Sequence, residues 1–91
     1  MLPRVVASPI WTLCGGAIQS AEDVVLEPSC GDGAFLEAAA HRFRELGGTP
    51  EKIGQNLTGV EIIPAEAEAA TTRLQGVIGK SAEKVVQNSD F

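Results

Sequence analysis

The sequence predicts an α/β domain built on a parallel sheet, and three observations lead there. Short apolar runs at Val24-Val25-Leu26-Glu27, Leu57 to Ile62 and Val85-Val86-Gln87 alternate with longer stretches of helical periodicity. The first run shows no polar–apolar alternation, the pattern of a strand covered on both faces, as in parallel sheets. A glycine-spaced turn, Gly31-Asp32-Gly33, joins that run to a helix. The order is helix, strand, helix, strand, helix, strand. Right-handed βαβ units would then bring all three strand ends to one edge, where ligands sit in open α/β sheets.

The elements follow in order. Ser8-Pro9 reads as a helix start, a capping hydroxyl followed by proline at the first helical position. Ile10, Leu13, Cys14, Ala17 and Ile18 continue it at helical spacing, although Gly15-Gly16 weakens it by about 1 kcal/mol per glycine. Residues 20–23 form a polar connector. After the glycine turn a helix is predicted from Ala34 to Leu46. Its apolar stripe is Phe35, Ala39, Phe43 and Leu46, widened by Leu36 and Ala40. Glu37, His41, Arg42, Arg44 and Glu45 face water, and Gly47-Gly48 stops the helix. Thr49-Pro50-Glu51 starts a short turn or helix that fades by Gly54. Pro64 opens an Ala/Glu-rich helix that runs to Gln75 and ends near Gly76. Residues 77–84 fit no single element.

Composition narrows the function classes. A chain of 91 residues holds one small domain, and a single core of that size is marginally stable. Apolar residues make up 44% and aromatics 4%, so Ala, Val, Ile and Leu must fill the core. The net charge of −5 disfavours nucleic-acid binding by these residues alone, because phosphate contacts need Lys and Arg. Two cysteines, Cys14 and Cys30, with no histidine at ligand spacing support neither a metal site nor a disulfide framework. A reducing, cytoplasmic setting is the expectation. No apolar run reaches the roughly 18 residues of a membrane span, and the start lacks the apolar stretch of a secretory signal.

The chemistry-bearing residues lie at the strand ends. Glu27 closes the first strand and Glu61 the second, with Gly31 and Gly33 in the loop between them. Two acids and a glycine loop at one sheet edge describe a nucleoside-binding crevice. Dinucleotide enzymes favour Gly-x-Gly-x-x-Gly at such a loop, and here the third glycine position holds Leu36.

Glu27-Pro28-Ser29-Cys30-Gly31-Asp32-Gly33-Ala34-Phe35-Leu36 resembles motif I of the amino-group methyltransferases that act on adenine in DNA, above all the adenine-N6 enzymes of restriction–modification systems. Ser8-Pro9 resembles the preceding motif, Gly59-Val60-Glu61-Ile62 resembles motif II and Asn88-Ser89-Asp90-Phe91 resembles motif III. The resemblance covers nearly the whole chain, in the family's order. It implies a Rossmann-like methyltransferase half-domain, residues 1–91, with three parallel strands and flanking helices, that binds S-adenosylmethionine. It implies a cofactor face of Ser8, Glu27, Pro28, Ser29, Cys30, Gly31, Gly33, Glu61, Ile62, Asp90 and Phe91. Glu27 would lie beside the methionine amino group, Glu61 would accept the ribose hydroxyls, Asp90 would accept the adenine amino group and Phe91 would cover the adenine face. The start of the helix after the glycine loop would offer unpaired N–H groups to the methionine end.

The family's catalytic motif, a polar residue followed by Pro-Pro-aromatic, holds the flipped target base. The chain contains no Pro-Pro, so no catalytic residue is assigned. The expectation is the cofactor half of a larger enzyme, truncated before that motif, with DNA contacted by the missing C-terminal part. The first strand would then carry a bare outer edge. Two alternatives stand beside this reading: a split half or remnant completed by a partner chain, and an NAD-binding oxidoreductase fragment.

Other notable residues read as structural. Asp32 suits a turn, Cys30 a small buried position, Cys14 and Trp11 packing. His41, Glu66 and Glu68 belong to solvated helix faces.

Overall fold

The computed structural model describes residues 5–7, 18–27 and 30–89. They form an α/β domain with strands β1 (Val5–Ala7), β2 (Val24–Glu27), β3 (Leu57–Val60) and β4 (Val86–Gln87). Between them lie helices α1 (Ala34–Glu45), α2 (Pro50–Asn56) and α3 (Pro64–Ile78), and a 3-10 segment at Gly79–Lys84. The four strands stand in chain order in one sheet, and every pair is parallel. The predicted helix at Ser8-Pro9, with Cys14 and Trp11 in it, lies outside the described residues.

Strand β1 corrects the expected bare edge. Val5, Val6 and Ala7 pair with Val24, Val25 and Leu26, so the outer edge of β2 is covered from within the chain. Only three residues long, β1 gives no periodic signal to read, and its backbone groups find partners on β2 instead.

Each helix end has a local cause. At the C-terminus of α1, Gly47 adopts φ +90° and its N–H bonds to the Arg44 carbonyl at 3.0 Å. The N–H of Gly48 then bonds to the Phe43 carbonyl at 2.9 Å, completing a Schellman motif. Thr49 caps α2 by accepting from the Lys52 N–H at 3.2 Å, with Pro50 in the first turn. That helix is longer than its sequence suggested and runs straight into β3. Helix α3 also continues past Gly76 and stops at Gly79, which takes φ +60°. Gly76 keeps helical geometry, because glycine weakens a helix without ending it.

The core lies on one face of the sheet. Val25 and Leu57 are register partners, and both are fully buried with Leu36, Ala39, Ala40 and Phe43 of α1, Ile53 of α2, and Ala70, Leu74 and Ile78 of α3. Burial of one large aliphatic side chain contributes about 1.5–3 kcal/mol. Phe35 and Leu46 are only half-buried, so the buried stripe of α1 is narrower than its apolar residues alone suggest. The opposite face carries Leu26 and Thr58, which are half-exposed register partners. Among the described residues the helices therefore cover one face rather than two. Val24–Glu27 read as uniformly apolar, yet its burial alternates.

Two buried polar residues hold the connector before β2. The Asp23 carboxylate accepts from the N–H groups of Gln19 at 3.0 Å and Ser20 at 3.3 Å. Asn56, at the end of α2, donates its amide to the Ala21 carbonyl at 3.0 Å. Arg42 also leaves the water-facing set, because its Nε donates to the Ile18 carbonyl at 3.0 Å. No helix among the described residues is long and apolar enough to cross a membrane.

Candidate functional site at the strand ends

The parallel sheet carries the C-terminal ends of β2, β3 and β4 to one edge. Glu27 is the last residue of β2 and pairs in register with Gly59 of β3. Glu61 follows β3, with its N–H bonded to the Gln87 carbonyl at 2.9 Å, so it still sits in the sheet. Both acids are 7% exposed. The predicted second strand reached Ile62. The regular strand ends at Val60, and the chain bends at Ile62 and Ile63.

Cys30 begins the glycine loop, and its N–H donates to the Val60 carbonyl at 3.0 Å. The loop is thus laid across the end of β3. Its tip is fixed by Glu61, whose Oε1 accepts from the Gly31 N–H at 2.8 Å while Oε2 accepts from the Ile63 N–H at 3.1 Å. A carboxylate has about four acceptor positions, so two remain for other donors.

The two glycines of the loop have different tasks. Gly31 takes φ +53°, and a Cβ built there would point into open space. Gly33 takes φ +89°, and a Cβ there would meet the Ala70 Cα at 2.7 Å and Cβ at 2.8 Å. Gly33 is thus a packing glycine that lets α3 approach the loop, whereas Gly31 leaves an opening. Gly59 is a second close approach, where a Cβ would meet Leu36 Cδ1 at 2.6 Å and Cys30 Cβ at 3.1 Å. The sequence reading used Gly59 only as part of a motif and gave it no packing role.

One N–H group at the start of α1 is already engaged. Asp32 Oδ1 accepts from the Ala34 N–H at 3.2 Å, so that group is not presented to a ligand. Asp32 is a turn residue as expected, while the N-cap position of α1 is Gly33, which has no side chain to cap with.

Cys30 reports on both acids at once. Its side chain is buried, and its thiol pKa is pushed up to about 11 by burial, then by the charges of Glu61 and Glu27. A thiol held protonated in this way is not a nucleophile.

The third strand end adds Asn88 and Ser89. Asn88 Nδ2 donates to the carbonyls of Glu61 at 2.9 Å and Ile62 at 3.0 Å, and the Ser89 N–H donates to the Glu61 carbonyl at 3.1 Å. These bonds bind the end of β4 to the backbone of the second acid. Beside them Ile62 is 62% exposed and Ile63 53%, large apolar side chains left in water at the rim. Isolated exposed apolar residues are ordinary, but these two directly follow a buried acid at a strand end.

The structure therefore brings together Glu27, Cys30, Gly31, Gly33, Glu61 and Ile62 from the predicted set. Ser8, Pro28, Ser29, Asp90 and Phe91 lie outside the described residues. Among the described residues no group of three or more His, Cys, Asp and Glu side chains could hold a metal. Sequence reasoning missed Arg73, which reaches from α3 to the loop at Asp32. A lone arginine on a helix face gives no signal of its partner until the fold brings the segments together. A shallow hollow lined by Ala65, Glu68, Ala69, Thr72 and Arg73 runs along α3 and includes neither strand-end acid. No protein-family model, curated protein or solved structure matches the chain.

Proposed function

We propose that the strand-end rim binds S-adenosylmethionine, as the cofactor-binding portion of a Rossmann-like adenine-N6 DNA methyltransferase. The observation that carries the proposal is the buried Glu61 carboxylate at the end of β3, joined to the open glycine loop through Gly31.

The residues present suit that group. Glu61 keeps acceptor positions for a vicinal diol, the pattern of a ribose. Gly31 leaves open the space that a side chain would fill. Ile62 offers an exposed apolar surface to a flat base. Glu27 supplies a second carboxylate one strand away, suited to an ammonium group. The cofactor would bring its own activated methyl group and leaving group. The chain would bind and orient it, and no proton transfer is asked of Cys30. Target-base contacts and DNA binding belong, in this reading, to residues beyond these 91, which contain no Pro-Pro-aromatic sequence.

Isothermal calorimetry of the 91-residue chain with S-adenosylmethionine, with NAD as competitor, tests the proposal. Saturable one-to-one binding that NAD does not displace supports it. NAD binding in place of S-adenosylmethionine overturns it in favour of the oxidoreductase reading. The chain by itself is expected to transfer no methyl group to adenine-containing DNA, and radiolabelled methyl incorporation checks that.

A further inference from the structure

Arg73 is joined to the glycine loop by two bonds to Asp32 and to α1 by a third, to Glu37. From the middle of α3 its Nε donates to the Asp32 carbonyl at 3.3 Å. One terminal nitrogen meets Asp32 Oδ2 at 3.2 Å, and the other meets Glu37 Oε1 on α1 at 3.2 Å. One guanidinium thus spans three segments: the helix that follows Glu61, the loop tip and the helix that follows the loop. Arginine suits this because its planar fork directs several donors in fixed directions.

The loop is otherwise held from two sides. Glu61 takes the Gly31 N–H on the strand side, and Ala70 packs against Gly33 on the helix side. Asp32, between these two glycines, has its backbone carbonyl and carboxylate held by Arg73. Its other carboxylate oxygen accepts from the Ala34 N–H at the start of α1. Without Arg73, Asp32 keeps its bond to the Ala34 N–H but loses the tie to α3.

We infer that Arg73 is a positioning residue for the cofactor, acting through Asp32 to hold the Gly31–Gly33 loop in its binding conformation. The inference rests on the S-adenosylmethionine reading of the site. Arg73 touches no reacting atom and meets the loop on the side facing α3. Its side chain is 38% exposed, so its effect on global stability is small, while its effect on the loop is local.

The test compares the wild-type chain with Arg73→Gln, Asp32→Asn and the double variant. Amide hydrogen exchange in the ligand-free chain reads the loop, and calorimetry with S-adenosylmethionine reads affinity. Arg73→Gln is expected to speed exchange at Gly31 to Gly33 while the core strands keep their protection. It is expected to weaken S-adenosylmethionine binding about three- to fivefold. Because Arg73 acts through Asp32, the double variant should bind no more weakly than the worse single variant. Arg73→Lys should fall between, since an ammonium keeps the charge but lacks the planar fork whose three nitrogens reach the Asp32 carbonyl, the Asp32 carboxylate and Glu37. Unchanged loop exchange, or fully additive losses of affinity, overturns the inference while the cofactor reading stands. A wild-type chain that binds no S-adenosylmethionine overturns both.

Discussion

Glu61 Oε1 and the Gly31 N–H meet at 2.8 Å although 30 residues separate them in sequence. That bond converts two local features, a strand-end acid and a glycine turn, into one site. It fixes the loop over the end of β3, and a ligand that used Glu61 would touch the loop as well. The other oxygen of Glu61 holds the Ile63 N–H at the start of α3, so one carboxylate organises both sides of the rim.

Glu61→Gln therefore tests structure and function together. The amide keeps one acceptor oxygen and puts an NH2 donor against a backbone N–H. One of the two bonds is lost and a buried donor is left without an acceptor. Loss of about 1–3 kcal/mol of stability is expected, read by urea unfolding. S-adenosylmethionine binding should weaken at least tenfold, beyond what the folded fraction explains.

The two loop glycines should separate stability from binding. Gly31→Ala places a Cβ in open space at φ +53°, so its structural cost is the left-handed conformation alone, about 1–2 kcal/mol. The added methyl would occupy the opening assigned to the cofactor, and binding should be lost. Gly33→Ala carries the same conformational cost and an overlap with the Ala70 backbone at 2.7 Å. It should destabilise by about 1–3 kcal/mol more. Thermal unfolding and calorimetry on the two variants distinguish these outcomes. Equal stability losses would show that Ala70 does not constrain the loop.

These packing relationships mark the limit of what the sequence discloses. The α/β class, the one-edge strand ends and the helices at 34–46 and from Pro64 were legible because periodicity and glycine punctuation act locally. Strand β1 was not legible: Val5-Val6-Ala7 is too short to show a period, and its partner is remote. The 3-10 segment at Gly79–Lys84 also lacks periodic signal, and its Ala82 is buried in the shared core. In the candidate site, Glu27, Glu61 and the glycines were visible from residue type and order. Arg73 was not, and Asn88 was visible only as part of a motif, without its contacts, because each takes its role from segments far away in sequence.

Asn88→Ala removes both side-chain bonds to the carbonyls of Glu61 and Ile62. The Ser89 N–H remains on the Glu61 carbonyl, so the strand end is weakened without being released. A stability loss of about 1 kcal/mol is expected, together with a several-fold loss of S-adenosylmethionine affinity. An affinity equal to that of the wild type would separate Asn88 from the site.

Cys30 gives the chain a dependence on alkaline pH. In the unfolded chain the thiol ionises near pH 9, whereas in the fold its pKa is pushed up to about 11 by burial and by Glu61 and Glu27. The folded state holds the proton more tightly. The contribution of this group is present in full below about pH 9 and is lost as pH rises to about 11. Cys30→Ala should flatten that part of the stability–pH curve, as chemical denaturation across the window can show. At pH 8 the native thiol should react slowly with iodoacetamide and rapidly once unfolded. Rapid alkylation of the native chain would contradict the buried, protonated assignment.

Residue-resolved NMR titration of the 91-residue chain with S-adenosylmethionine tests the central claim most directly. The account predicts saturable shifts concentrated at the amides of Gly31, Gly33, Glu61 and Ile62, with the outer residues of α2 unmoved. Absence of saturable shifts, or shifts centred away from the ends of β2 and β3, would contradict it.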